Sequence, residues 1–517
     1  MKNWHAFFEI LRFPLEILLI AVMIAGIGNL MVNPVFGLGV LTDNSYVEMI
    51  GNVLIKTGQF VIVNFPLLFL LRLVARRSGN TTTILSAGIG YVIFNAGTML
   101  ADDTNLPATA YSSILGLNMS VTRGGTLTET TRYPLQTGIF ATIVVAFITL
   151  LVFERLKTKN EYGFFGFISR DAACLIITVF FSLLAGIGFA YIWPYVIQGI
   201  QQLVTFIASD TTNPVNLALY GICDRFFGSI NLAAMIRQPF WYTSDGGSWI
   251  SVAGASITGD VSIWHGQINA GILTGMSGRF ITPYYILNLF AFPSLIWAMY
   301  SMYTNKIERR RIRMLCIIVT IASWFSGTML PIELMLLLLC PLLFAIHLAY
   351  TGLLFGILQA LHIYLGFNNG GTTTIAAMPG TLPEFLSYIS NPSLQQTLVW
   401  ILLIGVITGA VYYFTTKFYF KYLAIDLFKT GDKDRAVDGT IQALGGIENI
   451  RMSESSVRVV TVSVYDPGKV DIQQLRRLGS YRVYETKFGY NLCFGSASTM
   501  IRDGIEKERR NKVRDTE

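Results

Sequence analysis

The stretch Leu334–Leu365, LMLLLLCPLLFAIHLAYTGLLFGILQALHIYL, runs for 32 residues without one Asp, Glu, Lys or Arg. A helix needs about 20 apolar residues to cross about 30 Å of hydrocarbon, so this run exceeds a single crossing and carries a proline, Pro341, inside it. Comparable windows lie at Ile10–Leu30, Val53–Leu71, Thr83–Leu100, Thr137–Phe153, Ala172–Val196, Tyr284–Tyr303, Ile312–Leu330 and Thr397–Phe414. Of 517 residues, 53% are hydrophobic and 13% charged, and the mean hydropathy is +0.53; soluble domains carry about 25% charge. The expected fold class is a polytopic α-helical membrane domain. Lys2 precedes the first apolar stretch, but no convincing cleavage site follows. With so many later spans, that stretch reads as a first helix or anchor.

The net charge of +7 is not a nucleic-acid footprint. The basic residues flank the spans, as Arg72, Arg76 and Arg77; Arg155, Lys157 and Lys159; and Lys306, Arg309, Arg310, Arg311 and Arg313. The positive-inside rule places these loops in the cytoplasm. Ala101–Pro134, with Asp102, Asp103 and Glu129, faces outward by the same reasoning. The N-terminus and the C-terminal tail are then cytoplasmic, in a multi-pass membrane protein. Between the Arg309 cluster and Lys417 a simple count gives an odd number of crossings. One segment must be re-entrant or the 32-residue run must fold back, most naturally where Pro331 and Pro341 flank Glu333. Irregular backbone at that depth requires burial in protein or a cavity to line.

The grammar changes after Phe420. Asp432–Gly445 reads as a helix, Val457–Val464 as a strand by β-branched enrichment, and Ile472–Leu478 as a second helix. Arg482–Glu485 and Asn491–Phe494 read as strands, Ser496–Glu508 as a closing helix, and 509–517 as a charged tail. These make a small soluble α/β domain over 434–508, joined by a linker over 421–433. The five cysteines, Cys174, Cys223, Cys316, Cys340 and Cys493, show neither metal spacing nor a disulfide framework. Neither a metal nor another cofactor is expected.

Two sets of motifs carry a resemblance. Leu444-Gly445-Gly446-Ile447-Glu448-Asn449-Ile450, the β-like run Val457–Asp466, Leu478-Gly479 and Phe494-Gly495 resemble the IIB domain of the bacterial sugar phosphotransferase system. Residues 1–420 resemble the glucose-superfamily IIC permease through Tyr220–Gly228, Gly259-Asp260, Ala270-Gly271, Gly278-Arg279-Phe280, Ala298-Met299-Tyr300, Gly327…Pro331-Ile332-Glu333, Ile346-His347, Thr351-Gly352 and Gly366-Phe367. The resemblance implies about ten spans plus re-entrant segments, an antiparallel sheet in the tail, a homodimer with a mobile sugar-carrying subdomain, a sugar as substrate and a IIA-type protein as phosphodonor.

The same comparison exposes three departures. The family's phosphate-bearing cysteine, in a pattern like Cys-x-Thr-Arg-Leu-Arg, is met here by Ser456, Val457, Arg458, Val459, Val460 and Thr461. A thiolate ionises near neutrality, with a pKa of roughly 8.5 before tuning. A serine needs an adjacent general base, and no histidine follows Lys421. The family's His-His pair becomes Ala233-Ala234. Its Gly-Ile-Thr-Glu-Pro-Ile-Glu becomes Gly327–Glu333, with Leu330 in place of the first carboxylate. Losing a hydrogen bond to a charged group costs ~1.5–3 kcal/mol, and phosphoryl transfer depends on positioning and charge neutralisation.

Arg225 and Glu333 survive as ionisable residues in apolar surroundings, either as substrate-binding groups or as a pair that holds the bundle together. His265, in Trp264-His265-Gly266-Gln267, is a third substrate-binding candidate that partly replaces the missing histidine. His347 and His362 read as packed residues on long apolar helices. Asn368-Asn369-Gly370-Gly371 reads as a turn. Trp241, Tyr242, Tyr284 and Tyr285 read as interfacial belt residues. Three functions stay open: a permease coupled to phosphorylation, a transporter or channel for a sugar or small polar solute without phosphorylation, and a membrane sensor that binds regulators.

Overall fold

The computed structural model describes residues 2–33, 45–101, 106–112, 114–122, 129–157, 169–302, 306–368, 378–423, 431–455, 459–478, 480, 482–486, 488–494 and 498–514. The chain forms two compact units: residues 3–298 with 313–416, and residues 299–312 with 417–517 and the first two residues.

The first part of the chain is helical. In order it forms α1 (Lys2–Val32), α2 (Ser45–Val63), α3 (Phe65–Ser78), α4 (Thr81–Thr98), the hairpin β1 (Met119–Thr122) and β2 (Glu129–Arg132), α5 (Phe140–Lys157), α6 (Arg170–Ala208), α7 (Pro214–Ser229) and α8 (Ala233–Tyr242). A second hairpin, β3 (Ser248–Ile250) with β4 (Ser256–Thr258), leads to α9 (Asp260–Ala270), α10 (Thr282–Ile286), α11 (Phe292–Ser301), α12 (Lys306–Ser326), α13 (Leu330–Leu339), α14 (Pro341–Ala360), α15 (Leu382–Ser387) and α16 (Gln395–Phe418). Among the described residues, five helical segments are long and apolar enough to cross a membrane: Leu11–Val32, Ser45–Val63, Arg170–Ala208, Pro341–Ala360 and Pro392–Lys421.

Local chemistry moved several expected boundaries. The window Val53–Leu71 is two helices, broken at Asn64 (φ −91°, ψ 10°). Pro66 then opens α3 early in its first turn, where its missing N–H leaves no partner unsatisfied. The window Ala172–Val196 is the N-terminal part of the 39-residue α6, roughly 58 Å long at 1.5 Å per residue. The long run Leu334–Leu365 is interrupted at Cys340 (φ −134°, ψ 61°), with Pro341 starting the next helix. The ten-residue α13 that precedes it spans only about 15 Å, half the hydrocarbon thickness. His362 is not on a helix at all: it follows the end of α14, is exposed and has φ +53°.

Small residues bring helix backbones together, as they do wherever lipid supplies no hydrophobic drive between helices. The longest packing seam joins α4 to α6, where a Cβ on Gly186 would sit 2.2 Å from the Phe94 carbonyl oxygen and one on Gly97 would sit 3.0 Å from the Ile187 nitrogen. A Gly186→Ala substitution therefore forces backbone apart. It should destabilise the protein by about 1–3 kcal/mol, read as a lower thermal midpoint in detergent. An unchanged midpoint would show that the seam tolerates separation.

The C-terminal unit contains α17 (Gly431–Ala443), β5 (Ile450–Ser455), β6 (Val460–Val464), α18 (Ile472–Arg477), β7 (Arg482–Thr486), β8 (Gly489–Cys493) and α19 (Ser498–Arg514). The sheet is antiparallel throughout, in the order β5-β6-β8-β7. Val460, Val462 and Val464 enter a core with Leu444, Ile450, Leu475, Leu492, Ile501 and Ile505, while Thr461 is exposed. Strand β5 is absent from the sequence reading because a register shift between Ile450 and Met452 breaks its alternation. The closing helix runs on to Arg514, so the expected tail from 509 is largely helical. Asn449 explains part of the Glu448-Asn449-Ile450 motif structurally. Its amide donates to the Leu444 and Asp466 carbonyls at 2.7 and 2.9 Å, and its oxygen accepts the Asp466 N–H at 2.8 Å.

Candidate functional site

Four buried charges of the membrane part converge on α7, α8 and α13. Asp224 and Arg225 are adjacent on α7, Arg237 lies on α8 and Glu333 in the first turn of α13. All four are buried, Arg237 the least so at 8% exposure. The Arg225 guanidinium donates from Nη1 to Glu333 Oε1 at 3.0 Å, and its Nε lies 3.3 Å from Asp224 Oδ2. Arg237 Nε donates to Asp224 Oδ1 at 2.5 Å, and the Tyr284 hydroxyl donates to Asp224 Oδ2 at 2.7 Å. Two carboxylates thus meet two guanidiniums, and the four charges cancel. Such a cluster repays its desolvation only when its geometry and hydrogen bonds are good.

Aromatic and imidazole groups close the cluster. The Arg225 guanidinium lies 4.2 Å from the Tyr284 ring centroid, a cation–π contact strengthened by desolvation. His347 on α14 shares a 2.8 Å hydrogen bond with the Tyr412 hydroxyl, and its Nε2 stands 3.6 Å from Glu333 Oε1. With Tyr412 donating to Nδ1, the ring proton sits on Nε2 and faces the carboxylate. A void of about 10 Å³ next to His347, Tyr412 and Thr416 is at the lower limit for one water. Glu333 is 2% exposed, so a solute reaches it only if the groups packed around it move.

Trp241, Tyr284 and Tyr285 are fully buried rather than interfacial, which corrects the belt expectation. The reason is polar: the Trp241 indole N–H donates to the Tyr220 hydroxyl at 3.0 Å, Tyr284 serves Asp224, and the Tyr285 hydroxyl donates to the Gly366 carbonyl at 2.8 Å. Asp224 and Arg237 were not singled out by sequence reasoning. Their signal was available, as an acid beside Arg225 in an apolar helix and a lone arginine four residues after Ala233.

Of the three substrate-binding candidates, the structure brings Arg225 and Glu333 together. His265 stands on α9, half-buried, with Nδ1 2.7 Å from Asn368 Oδ1 and Nε2 3.1 Å from Asn269 Nδ2. Other residues of α9, Asp260, Ile263 and Gln267, line a polar cavity of about 160 Å³ with Trp249, Ser277 and Arg279. Ala233 and Ala234 open α8. Leu330 packs against an apolar cluster of Leu11, Leu18, Phe65, Phe69 and Leu334. Ser456 with Val457 and Arg458, and Asn369 to Gly371, lie outside the described residues. No group of three or more His, Cys, Asp or Glu among the described residues could hold a metal ion.

Fold and site together define a membrane protein of several apolar helices, with a buried, charge-balanced cluster and a small antiparallel α/β unit at its C-terminal end. Residues 8–352 match the family described as Phosphotransferase system, EIIC, and the chain belongs to that family. It is 24% identical over 534 residues to the PTS system glucoside-specific EIICBA component of Staphylococcus carnosus (strain TM300), covering 97% of this chain and 72% of that protein. It is 26% identical over 481 residues to the PTS system glucose-specific EIICBA component of Staphylococcus saprophyticus subsp. saprophyticus, covering 89% of this chain and 66% of that one.

Proposed function

We propose that this protein is a phosphotransferase-type sugar permease, of glucose-superfamily IIC–IIB organisation, that moves a sugar or small polar solute without phosphorylating it. The observation that carries the loss of phosphoryl transfer is Ser456 at the phosphocysteine position, with Val459 and Thr461 where the family has two arginines. Leu330 and Ala233-Ala234 point the same way in the membrane part. The IIB reading of 434–508 is supported by the antiparallel sheet and by relatives with a combined EIICBA name that align over 97% and 89% of this chain.

In this reading Arg225 and Glu333 contact the solute once their pairing opens, and His265 contributes from α9. A IIA-type protein docks on the tail without transferring phosphate. The chain is a homodimer, and its N-terminus and C-terminal unit face the cytoplasm. A reporter active only outside the cell, fused after Glu517, should stay silent; a bright signal would reverse the orientation. Mass measurement in lipid nanodiscs should give a dimer, and a monomer would remove that part of the reading.

Radiolabelled glucose entering vesicles that hold the full chain and no phosphodonor tests the function. Entry with the label recovered as free sugar is the expected result. Recovery as sugar phosphate when the phosphoenolpyruvate relay is supplied would overturn the proposed loss. One observation favours a sensor as the second reading: Glu333 is buried and paired with Arg225. Binding of glucose without entry would support it.

A further inference from the structure

Another buried carboxylate has surroundings opposite to those of Glu333. Glu384 is on α15, outside the five spanning segments, and is fully buried. Among the described residues no Lys, Arg or His lies within ion-pair distance of it, and the sequence 369–377 holds no ionisable side chain. Its Oε2 accepts the Gly380 N–H at 3.1 Å, and its Oε1 is 3.5 Å from the Tyr388 hydroxyl. The N–H groups of Thr381 and Asn368 and the Tyr285 hydroxyl also face it.

Counting hydrogens shows why this is a poor place for a negative charge. A tyrosine hydroxyl has one hydrogen to give. That of Tyr285 goes to the Gly366 carbonyl at 2.8 Å. That of Tyr388 has two claimants, the same carbonyl at 3.2 Å and Glu384, while its oxygen accepts the Trp264 indole N–H at 3.1 Å. The ionised form would hold the Gly380 N–H, the facing Thr381 and Asn368 N–H groups and a shared hydroxyl, but no counter-charge among the described residues. A buried charge left in that state neutralises instead. Burial is the largest influence on the group and pushes its pKa up to about 8. The protonated form reverses the polarity: its O–H can donate to a tyrosine oxygen. The other titratable neighbours are Tyr285, Tyr388 and, one residue removed through Asn368, His265.

We propose that Glu384 is a reversible proton site, neutral while enclosed and ionised when water reaches it, through which solute movement is coupled to a proton. The step is a carboxylic acid giving one proton to water, and the reverse on re-enclosure, with the proton gradient across the membrane as the driving partner. The coupling rests on the non-phosphorylating reading above, whereas the proton site itself does not.

Infrared difference spectra of the full chain in nanodiscs between pH 6 and pH 10 should show a carboxylic-acid carbonyl band that fades with a midpoint near 8 and is missing in Glu384→Gln. Tyr388→Phe should move the midpoint upward, because the carboxylate loses a hydroxyl that can donate to it. A band unaffected by Glu384→Gln, or a midpoint unmoved by Tyr388→Phe, overturns the site. In proteoliposomes without phosphodonor, an imposed proton gradient should concentrate radiolabelled glucose with the wild-type chain, whereas Glu384→Gln only equilibrates it. Equal behaviour of the two overturns the coupling. If glucose does not enter at all, the transport reading falls and the infrared band alone decides the proton site.

Discussion

Arg225→Met should cost about 3–5 kcal/mol of stability, because it leaves Glu333 buried without its partner. The pair is enclosed: the side chains of Arg225 and Glu333 are 1% and 3% exposed and 3.0 Å apart. Glu333→Leu should cost a similar amount by stranding the guanidinium, of which Nη2 already has no hydrogen-bond partner. The combined Arg225→Met/Glu333→Leu change should recover most of that loss, since Asp224 keeps Arg237 at 2.5 Å and Tyr284 at 2.7 Å, and apolar replacement of a whole buried pair is often neutral. Titration with SDS in mixed micelles measures all three. A double variant as unstable as the singles would show that the pair is not an isolated unit of the bundle. The same variants separate the two roles left open for these residues. If the double variant is stable yet glucose no longer enters vesicles, the pair serves the solute and not only the packing.

The tail should accept no phosphate from a IIA donor as it stands, and a four-site change should restore labelling. Ser456→Cys alone supplies the nucleophile but no anion cradle. Ser456→Cys with Arg458→Thr, Val459→Arg and Thr461→Arg supplies both, and the fold can take the last of these. Thr461 is exposed on β6, directly opposite Glu454 on β5, so an arginine there gains a cross-strand partner of opposite charge. Val459 is half-buried at the start of that strand, so its arginine needs its head group in water. Incubation with labelled phosphoenolpyruvate and the relay proteins should change the tail from unlabelled to labelled. Sugar phosphorylation should stay absent, because Leu330 and Ala233 remain. If unmodified protein phosphorylates a sugar at a rate that survives Ser456→Ala, the argument from the missing nucleophile is wrong. If Ser456→Ala abolishes that rate, serine performs the cysteine's task.

The two tests address different levels of the molecule. Glu333 can be read as a binding group only if the cluster opens, and the cluster is held by groups from α7, α8, α13 and α14. Ser456 depends on none of them. A protein whose tail takes no phosphate and whose charge pair is needed for glucose entry keeps a membrane site without the transfer chemistry, which is the arrangement a proton at Glu384 would serve.

Composition and apolar run length were enough to make this chain a membrane protein, because spanning hydrocarbon demands long stretches with satisfied backbones and few charges. The break at Pro341 was legible as well, since proline cannot continue the hydrogen-bond ladder. In the tail, β-branched enrichment marked Val457–Val464, where β6 forms over Val460–Val464, but β5 stayed hidden because its register shift removes the period that marks a strand. Arg225 and Glu333 stood out singly as charges in apolar surroundings. Their pairing did not, since 108 residues separate them and only packing sets such long-range contacts. The tertiary structure alone made the Trp241 and Tyr284 rings buried members of the charge cluster instead of interfacial anchors. It also showed that Glu333 has a cation beside it while, among the described residues, Glu384 has none. A carboxylate's chemistry follows from what faces it in space, and no local pattern of residues encodes that.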